Sequence, residues 1–550
     1  MNFSSGFKPE NWNKRDRYYL KPFVSNIDGL VYSFWSPLPE LIGALCSRAS
    51  RAGGDLRRVF LDEYVYPILI EHDELSSNLK KVIKFLHNYS FHEVLRNKRA
   101  QEFYIRWYAQ YGDDSIAQVT GTHLMFWGLS QPALKFLEDQ RIGLAPIEKS
   151  TRYVDYSSKF GGKYLYYTDP TLRKMGLLRQ YKKVMDGLFD TYSSLAPFFI
   201  EHFEKLYPSD TRVVWRTKAF DTLRGLLPSS TLSQVAFMGN GQAFEYMIAR
   251  ASEHPLGELR WVARESKKEL ARDLNSILLR LEDKASKDYQ KWIAERRDSV
   301  ARISASKAGD FLEPEKAPKV SLVDYDKDGE DKVITALLFE RPREHRSWGR
   351  IFVDVRRMSK REKMHILTQH LQGRTQRWQK IGRAFENAFM RFEITMNLGA
   401  YRDLHRHRMH TQERQFFSVH HGYDLPKEIE EVGREREFID AMAKAEELFK
   451  KVEKKDPYVA QYIPTLAHRI RFYQYQNIRQ FFWETELRTI SQGHPDYRTI
   501  EQEKFRLASK VYPLIMKFSK VDMNDYSVAR RGTETMIKSK EEFLKKKLAK

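Results

Sequence analysis

Internal repetition is the feature that most constrains what this chain can fold into. Arg408 lies 267 positions after Arg141, and at that spacing Leu404 falls on Leu137 and Ala400 on Ala133. Further along, Pro228, Thr231 and Asn240 are paralleled by Pro464, Thr465 and Asn477. Arg250, His254-Pro255 and Arg260 are paralleled by Arg488, His494-Pro495 and Arg498. Ordered matches at several points indicate a diverged duplication, in which two copies build one architecture from different residues. Length alone would divide 550 residues into about three to five domains; the repeat lowers that number.

Local patterning supports two similar copies. Met390, Phe392, Ile394, Met396 and Leu398 alternate with Arg391, Glu393, Thr395 and Asn397, the period of a half-buried strand leading directly to a His-Arg cluster. Long amphipathic helices are predicted through Tyr181, Met185, Leu188 and Tyr192, and through Phe438, Met442, Ala445 and Phe449. A further helix runs through Leu270, Leu274, Ile277 and Leu281. From Ser306 to Lys319, Pro314, Pro318 and Ala-Gly-Asp interrupt the helical pattern, and a new strand begins at Val320, so the domain boundary belongs there.

Two motifs carry chemistry. In Glu148-Lys149-Ser150-Thr151-Arg152-Tyr153 the carboxylate, hydroxyl and guanidinium alternate, and on extended backbone they would share one face suited to a phosphate and a sugar or base; the plain alternative is a salt-bridged surface loop. In His405-Arg406-His407-Arg408 cationic nitrogen is concentrated. A metal held by His405, His407 and His410 is disfavoured by the interleaved arginines, so anion binding, with His407 donating a hydrogen bond, competes with a simple basic patch. Gly239-Asn240-Gly241 lacks a third glycine and a clear preceding strand and reads as a turn. The chain holds no GxxxxGK[ST] loop and no HExxH motif.

Cys46 is the single cysteine, at the end of an apolar run, and reads as a buried, inert thiol. No apolar run reaches the roughly 20 residues of a membrane span, and the start lacks a signal-peptide core, so a cytoplasmic protein is expected. A net charge of +21 concentrates phosphorylated ligands or nucleic acid without choosing between them; the Lys-rich end, Lys545 to Lys550, reads as a solvated helix end.

Taken together, the two motifs resemble the flavin-dependent thymidylate synthases, whose signature joins RHR to x-x-S-x-N and then to E-x-S-x-R-Y. Glu148-x-Ser150-x-Arg152-Tyr153 matches the last part, and the likeness continues through Leu226-Leu227-Pro228, Asn240 and Glu258-Leu259-Arg260. The second half is similar through Phe385-Glu386, Arg406-His407-Arg408, Asn477-x-Arg479 and the His-Pro segment. Each copy also departs from the signature. Asp139-Gln140-Arg141 stands for RHR in the first, while in the second Glu413 comes one residue early and Arg414-Gln415-Phe416-Phe417 replaces S-x-R-Y.

The resemblance implies an α+β, helix-rich chain of two tandem domains, 28–305 and 319–535, each a small sheet packed with long helices. It implies methylation at C5 of dUMP or a related pyrimidine nucleotide, with FAD as cofactor, NADPH and methylenetetrahydrofolate as cosubstrates, and no enzyme nucleophile or metal. Glu148, Ser150, Arg152 and Arg260 would hold the nucleotide; Arg406, His407, Arg408 and Arg479 would hold the flavin. Because the family assembles as tetramers, two copies of this chain would form a pseudo-tetramer, with sites drawing the two motifs from different domains. A catalytically silent nucleotide-binding relative, and a basic RNA-binding protein on the same fold, are the alternatives.

Overall fold

A computed structural model describes residues 10–71, 73–89, 98–110, 113–308, 318–526, 528 and 533–548. The centre of the predicted linker, 309–317, and the last two residues of the Lys-rich end lie outside the described residues. The chain forms two compact units, one of Met1–Ala196, Leu226–Glu313 and Arg436–Pro464, the other of Pro197–Gly225, Pro314–Glu435 and Thr465–Lys550. Each unit thus takes one segment from the other half of the sequence. Among the described residues no helix is long and apolar enough to cross a membrane.

The first unit holds strands β1 (Val31–Phe34), β2 (Gly121–Leu129), β3 (Leu144–Glu148) and β4 (Ser233–Asn240) in the antiparallel order β1-β2-β4-β3. Helix α1 (Gln131–Glu138) follows β2; α2 (Gly241–Ser252) and α3 (Gly257–Leu278) follow β4. From Leu124 to Leu129 β2 is buried on both faces, and the pairing slips between Trp127 and Leu129, where Gly128 takes a positive φ of 102° that a side chain would strain.

The second unit repeats this plan with β5 (Val320–Tyr325), β6 (Phe389–Asn397), β7 (Thr411–Arg414) and β8 (Arg469–Asn477) in the order β5-β6-β8-β7. Between β5 and β6 lie α4 (Trp348–Arg357) and α5 (Lys360–Leu371); α6 (Leu398–Leu404) follows β6, and α7 (Ile478–Arg488) and α8 (Pro495–Val511) follow β8. The alternation predicted for Met390 to Leu398 is β6. It does not deliver the His-Arg cluster directly, because Asn397 caps α6 and the cluster begins only after that helix. The predicted helices through Tyr181 and Phe438 are Leu178–Leu206 and Glu435–Glu453, and the strand expected at Val320 is β5.

The repeat is a repeat of helix caps. Ser130 and Asn397 begin the helix after the second strand of each sheet, accepting from Ala133 N–H at 3.3 Å and Ala400 N–H at 2.9 Å. Those alanines are the pair that the 267-residue spacing aligned. Asn240 and Asn477 cap α2 and α7 in the same way, each accepting at 2.8 Å. A capped strand-to-helix junction therefore replaces the turn expected at Gly239-Asn240-Gly241. A carboxylate from the returning helix holds the earlier cap in both copies: Glu258 of α3 accepts from Ser130 N–H at 2.9 Å, and Asp496 of α8 accepts from Asn397 Nδ2 at 2.6 Å.

Candidate functional site

In the first unit β3 ends at Glu148, and Thr151 to Tyr153 form a turn, so Ser150 and Arg152 do not extend a strand face with Glu148 as the alternation suggested. Ser150 Oγ accepts from the N–H of Arg152 at 3.1 Å, a local bond that competes with strand pairing. Glu148 and Arg152 are both buried. The Glu148 carboxylate accepts from Lys135 Nζ at 2.9 Å and Gln131 Nε2 at 3.1 Å, and Lys135, fully buried on α1, also pairs with Glu138. Neither Lys135 nor Gln131 stands out in the sequence, although the Lys135–Glu138 spacing is one helical turn.

Lys149 emerges as a further titratable group. Its ammonium lies 5.2 Å from the Trp127 ring centroid and 5.1 Å from that of Tyr156, and it donates to Gly53 C=O at 3.1 Å. Burial pushes its pKa down to about 8. Arg260, the other expected nucleotide contact, is exposed on α3, and its guanidinium donates to the carbonyls of His254 and Pro255.

In the second unit His407 is buried between two exposed arginines, Arg406 and Arg408, and its backbone N–H donates to Leu404 C=O at 3.1 Å. Its Nε2 accepts from Arg488 Nε at 2.8 Å. Burial holds its pKa well below the ordinary histidine value, so the ring is neutral and its one proton sits on Nδ1. Arg406 has Asp403 at 3.7 Å, and Arg479, at the start of α7, pairs with Glu386.

Below His407 lies a polar core that the sequence does not announce. Lys504 Nζ, fully buried, donates to Gln474 at 2.7 Å and Glu501 at 3.1 Å and lies 3.5 Å from Glu484. Gln474 donates in turn to Gln412 at 3.1 Å and Glu484 at 3.0 Å. Burial works to raise the Glu484 carboxyl, but the Lys504 ammonium, with the hydrogen bond from Gln474, outweighs it and holds it low; burial and the Glu484 charge raise Glu501 to about 8.

Sheet register compares the copies position by position. Glu148 pairs with Val235, five residues before the Asn240 cap; Arg414 pairs with Phe472, five before the Asn477 cap. Arg414 therefore occupies the place of Glu148. Glu413, one residue earlier, belongs to the opposite strand face, because side chains alternate. In the first copy Gln140 stands where the spacing puts His407, and its amide donates to Ala243 C=O.

The second unit also contains a cleft of about 640 Å³, lined in part by Tyr207, Arg224, Asn397, Asp424, Arg469 and Asp496. Arg469 Nε donates to Asp424 at 2.7 Å, and Asn397 Nδ2 to Asp424 at 3.0 Å. Neither Arg406, His407 nor Arg408 lines it. No group of three or more His, Cys, Asp or Glu that could hold a metal occurs among the described residues.

Comparison with known proteins agrees with this doubled plan. Residues 70–274 and 321–514 each match the family described as thymidylate synthase complementing protein. A UPF0159 protein of Chlamydia pneumoniae is 35% identical, covering 96% of this chain and 98% of its own length. UPF0159 proteins of Chlamydia muridarum and Thermoplasma acidophilum are 34% and 30% identical, covering 97% and 90% of this chain and 99% and 97% of their own lengths. Two matched regions, two sheets of one strand order and two sets of equivalent caps lead to one assignment: the chain belongs to the thymidylate synthase complementing protein family, that of the flavin-dependent thymidylate synthases, as a tandem two-domain member.

Proposed function

We propose that the chain is a flavin-dependent one-carbon transferase methylating C5 of dUMP or a related pyrimidine nucleotide, with FAD as cofactor and NADPH and methylenetetrahydrofolate as cosubstrates. The observation that carries this reading is the turn at His405 to Arg408, where a buried neutral imidazole anchored by Arg488 stands between two exposed guanidiniums. Such guanidiniums suit a pyrophosphate or an anionic reduced ring, which planar forks of donors recognise in pairs. In this reading Arg406, His407, Arg408 and Arg479 hold the flavin, with His407 acting through Nδ1, while Glu148, Ser150, Arg152 and Arg260 hold the nucleotide.

When bound, FAD supplies the redox chemistry. The net conversion joins the folate's methylene group and a hydride from NADPH into a methyl group at C5, releases the C5 proton, and takes up two protons on the folate nitrogens that the methylene leaves, giving tetrahydrofolate and NADP⁺. A cysteine route does not suit this chain: Cys46 is buried, and burial pushes its thiol up to about 12, so little thiolate exists at neutral pH. The reading includes a homodimer, expected in light scattering at twice the 65.2 kDa chain mass.

The test is the visible absorption spectrum of the purified protein, followed by NADPH oxidation and tritium release from C5-labelled dUMP. Bound flavin with both activities dependent on nucleotide supports the enzyme. Binding of dUMP with neither activity supports the second reading, a silent nucleotide-binding relative, which the arginine at the Glu148 position of the second copy favours.

A further inference from the structure

The chain's positive charge is not spread evenly. Residues 341–383 contain thirteen Lys and Arg against three acidic residues, ten of the chain's net +21. The whole connection between β5 and β6, 326–388, contains fifteen basic and nine acidic residues, a net +6, whereas the corresponding connection of the first copy, 35–120 between β1 and β2, contains eleven of each and is neutral. A general surface bias would have charged both copies. The excess belongs to one segment of one copy, the helices α4 and α5 and the loop after them.

Five cations of this stretch are already paired. Arg346 is bound to Glu344 and Asp354, Arg350 lies near Asp354, Lys363 is on Asp331, Arg374 on Glu486, and Arg383 lies near Glu386. At the corner between α4 and α5 the pattern changes. Arg356, Arg357, Lys360 and Arg361 fall within six residues, all are exposed, and among the described residues none has an acidic partner within ion-pairing distance. The neighbouring carboxylates are engaged: Asp354 is paired with Arg346, and Glu362 is used by the Ser359 cap, accepting from its N–H and hydroxyl at 2.7 Å. Inward, Ile351 and Val355 of α4 and Leu367 and Leu371 of α5 are buried, so the corner is held on a packed base.

At the far end of α5, a helix about 18 Å long, the chain turns through Gln372 to Ile381. This loop is fixed: Arg374 Nε donates to Gln379 C=O at 2.8 Å, and the Gln379 side chain accepts from the N–H groups of Thr375 and Gln376 at 2.7 Å. From it Trp378 projects with 63% of its surface exposed, and Lys380 lies over the partly exposed ring of Trp483. An indole held outward by a pinned loop, one helix length from four cations without acidic partners, offers both parts of a single-strand site: a platform for stacking and charges for the backbone.

We propose that the α4–α5 corner and the Trp378 loop form a binding surface for single-stranded nucleic acid, with Arg356, Arg357, Lys360 and Arg361 on phosphates and Trp378 stacked on a base. The proposal is independent of the flavin reading, since it uses none of those residues.

Fluorescence anisotropy of a fluorescein-labelled 20-nucleotide oligouridylate with the full-length protein, titrated from 50 to 200 mM NaCl, tests it. Arg356→Ala/Arg357→Ala/Lys360→Ala/Arg361→Ala is expected to weaken binding at least tenfold and to reduce the salt slope by about 0.7 for each phosphate no longer neutralised. Trp378→Ala is expected to weaken binding about fivefold or more with the salt slope unchanged. All five positions are exposed, and unchanged thermal unfolding of the variants secures the comparison. Lys80→Ala/Lys81→Ala/Lys84→Ala, on an exposed helix of the first unit, should leave binding within twofold. The proposal falls if the wild type does not bind at 50 mM NaCl, if the four-site variant binds within twofold of it, if the first-unit variant loses as much, or if Trp378→Ala has no effect.

Discussion

Arg488 Nε donates to His407 Nε2 over 2.8 Å, and this bond fixes which nitrogen of the buried ring carries the proton. Arg488→Met leaves a buried acceptor unsatisfied, an expected loss of roughly 1–3 kcal/mol in urea unfolding. The double variant with His407→Leu should lose less than the sum of the two single losses, because no orphaned acceptor remains. Additive losses would mean that the bond contributes nothing specific.

Lys135 supplies the charge that permits two carboxylates, Glu138 and Glu148, to be buried beside it. Lys135→Met is expected to destabilise the protein by about 3–5 kcal/mol, since it removes an ammonium paired with two buried carboxylates. Lys135→Met/Glu148→Gln should recover part of that. Equal midpoints for the single and double variants in chemical denaturation would refute the pairing.

Glu258 makes stability depend on pH in a calculable direction. Burial raises its carboxyl from 4.5 to about 7, so between those values the folded chain holds a proton that the unfolded chain has lost. Its contribution to stability therefore falls as pH rises through that window and levels off above it. Glu258→Gln, which cannot titrate, should show its largest deficit relative to wild type near pH 5 and a smaller one at pH 8, read from urea midpoints. A constant gap would contradict the shift.

Cys46 should be silent to Ellman's reagent at pH 8 in the native protein and react fully in guanidinium, because its thiol is buried and pushed up to about 12. Rapid reaction of the folded chain would show that this region opens.

Within the proposed nucleotide site, Arg152→Ala is expected to weaken dUMP binding at least tenfold by calorimetry, and Glu413→Gln to leave it within twofold. Register puts Glu413 on the other face of the position that Glu148 occupies in the first copy. A large effect at Glu413 would overturn the register argument.

The sequence exposed some parts of this molecule and hid others for physical reasons. β6 was readable because its polar and apolar residues alternate, as a strand with one solvated side must. β4 was not, since nearly all of it is buried and nothing marks one face from the other; without that strand, Gly239-Asn240-Gly241 looks like a turn. The Ala133 and Ala400 match was a true alignment, though only the structure shows that both follow a helix cap. Polar alternation after Glu148 suggested extended backbone, whereas a hydroxyl bonded two residues ahead makes a turn. Lys135, Lys504 and Glu484 could not be picked out at all: lysine and glutamate are ordinarily surface residues, and only three-dimensional pairing makes their burial tolerable.

Arg414 sits at the same register as Glu148, with the same strand order around it. The two copies have therefore parted by exchanging side chains at this edge, leaving the hydrogen-bonded frame in step. A ladder that stays in step lets side chains be exchanged between the copies by their place in the pairing, even though the connection before the edge is one residue longer in the first copy, seven residues from Arg141 to Glu148 against six from Arg408 to Arg414.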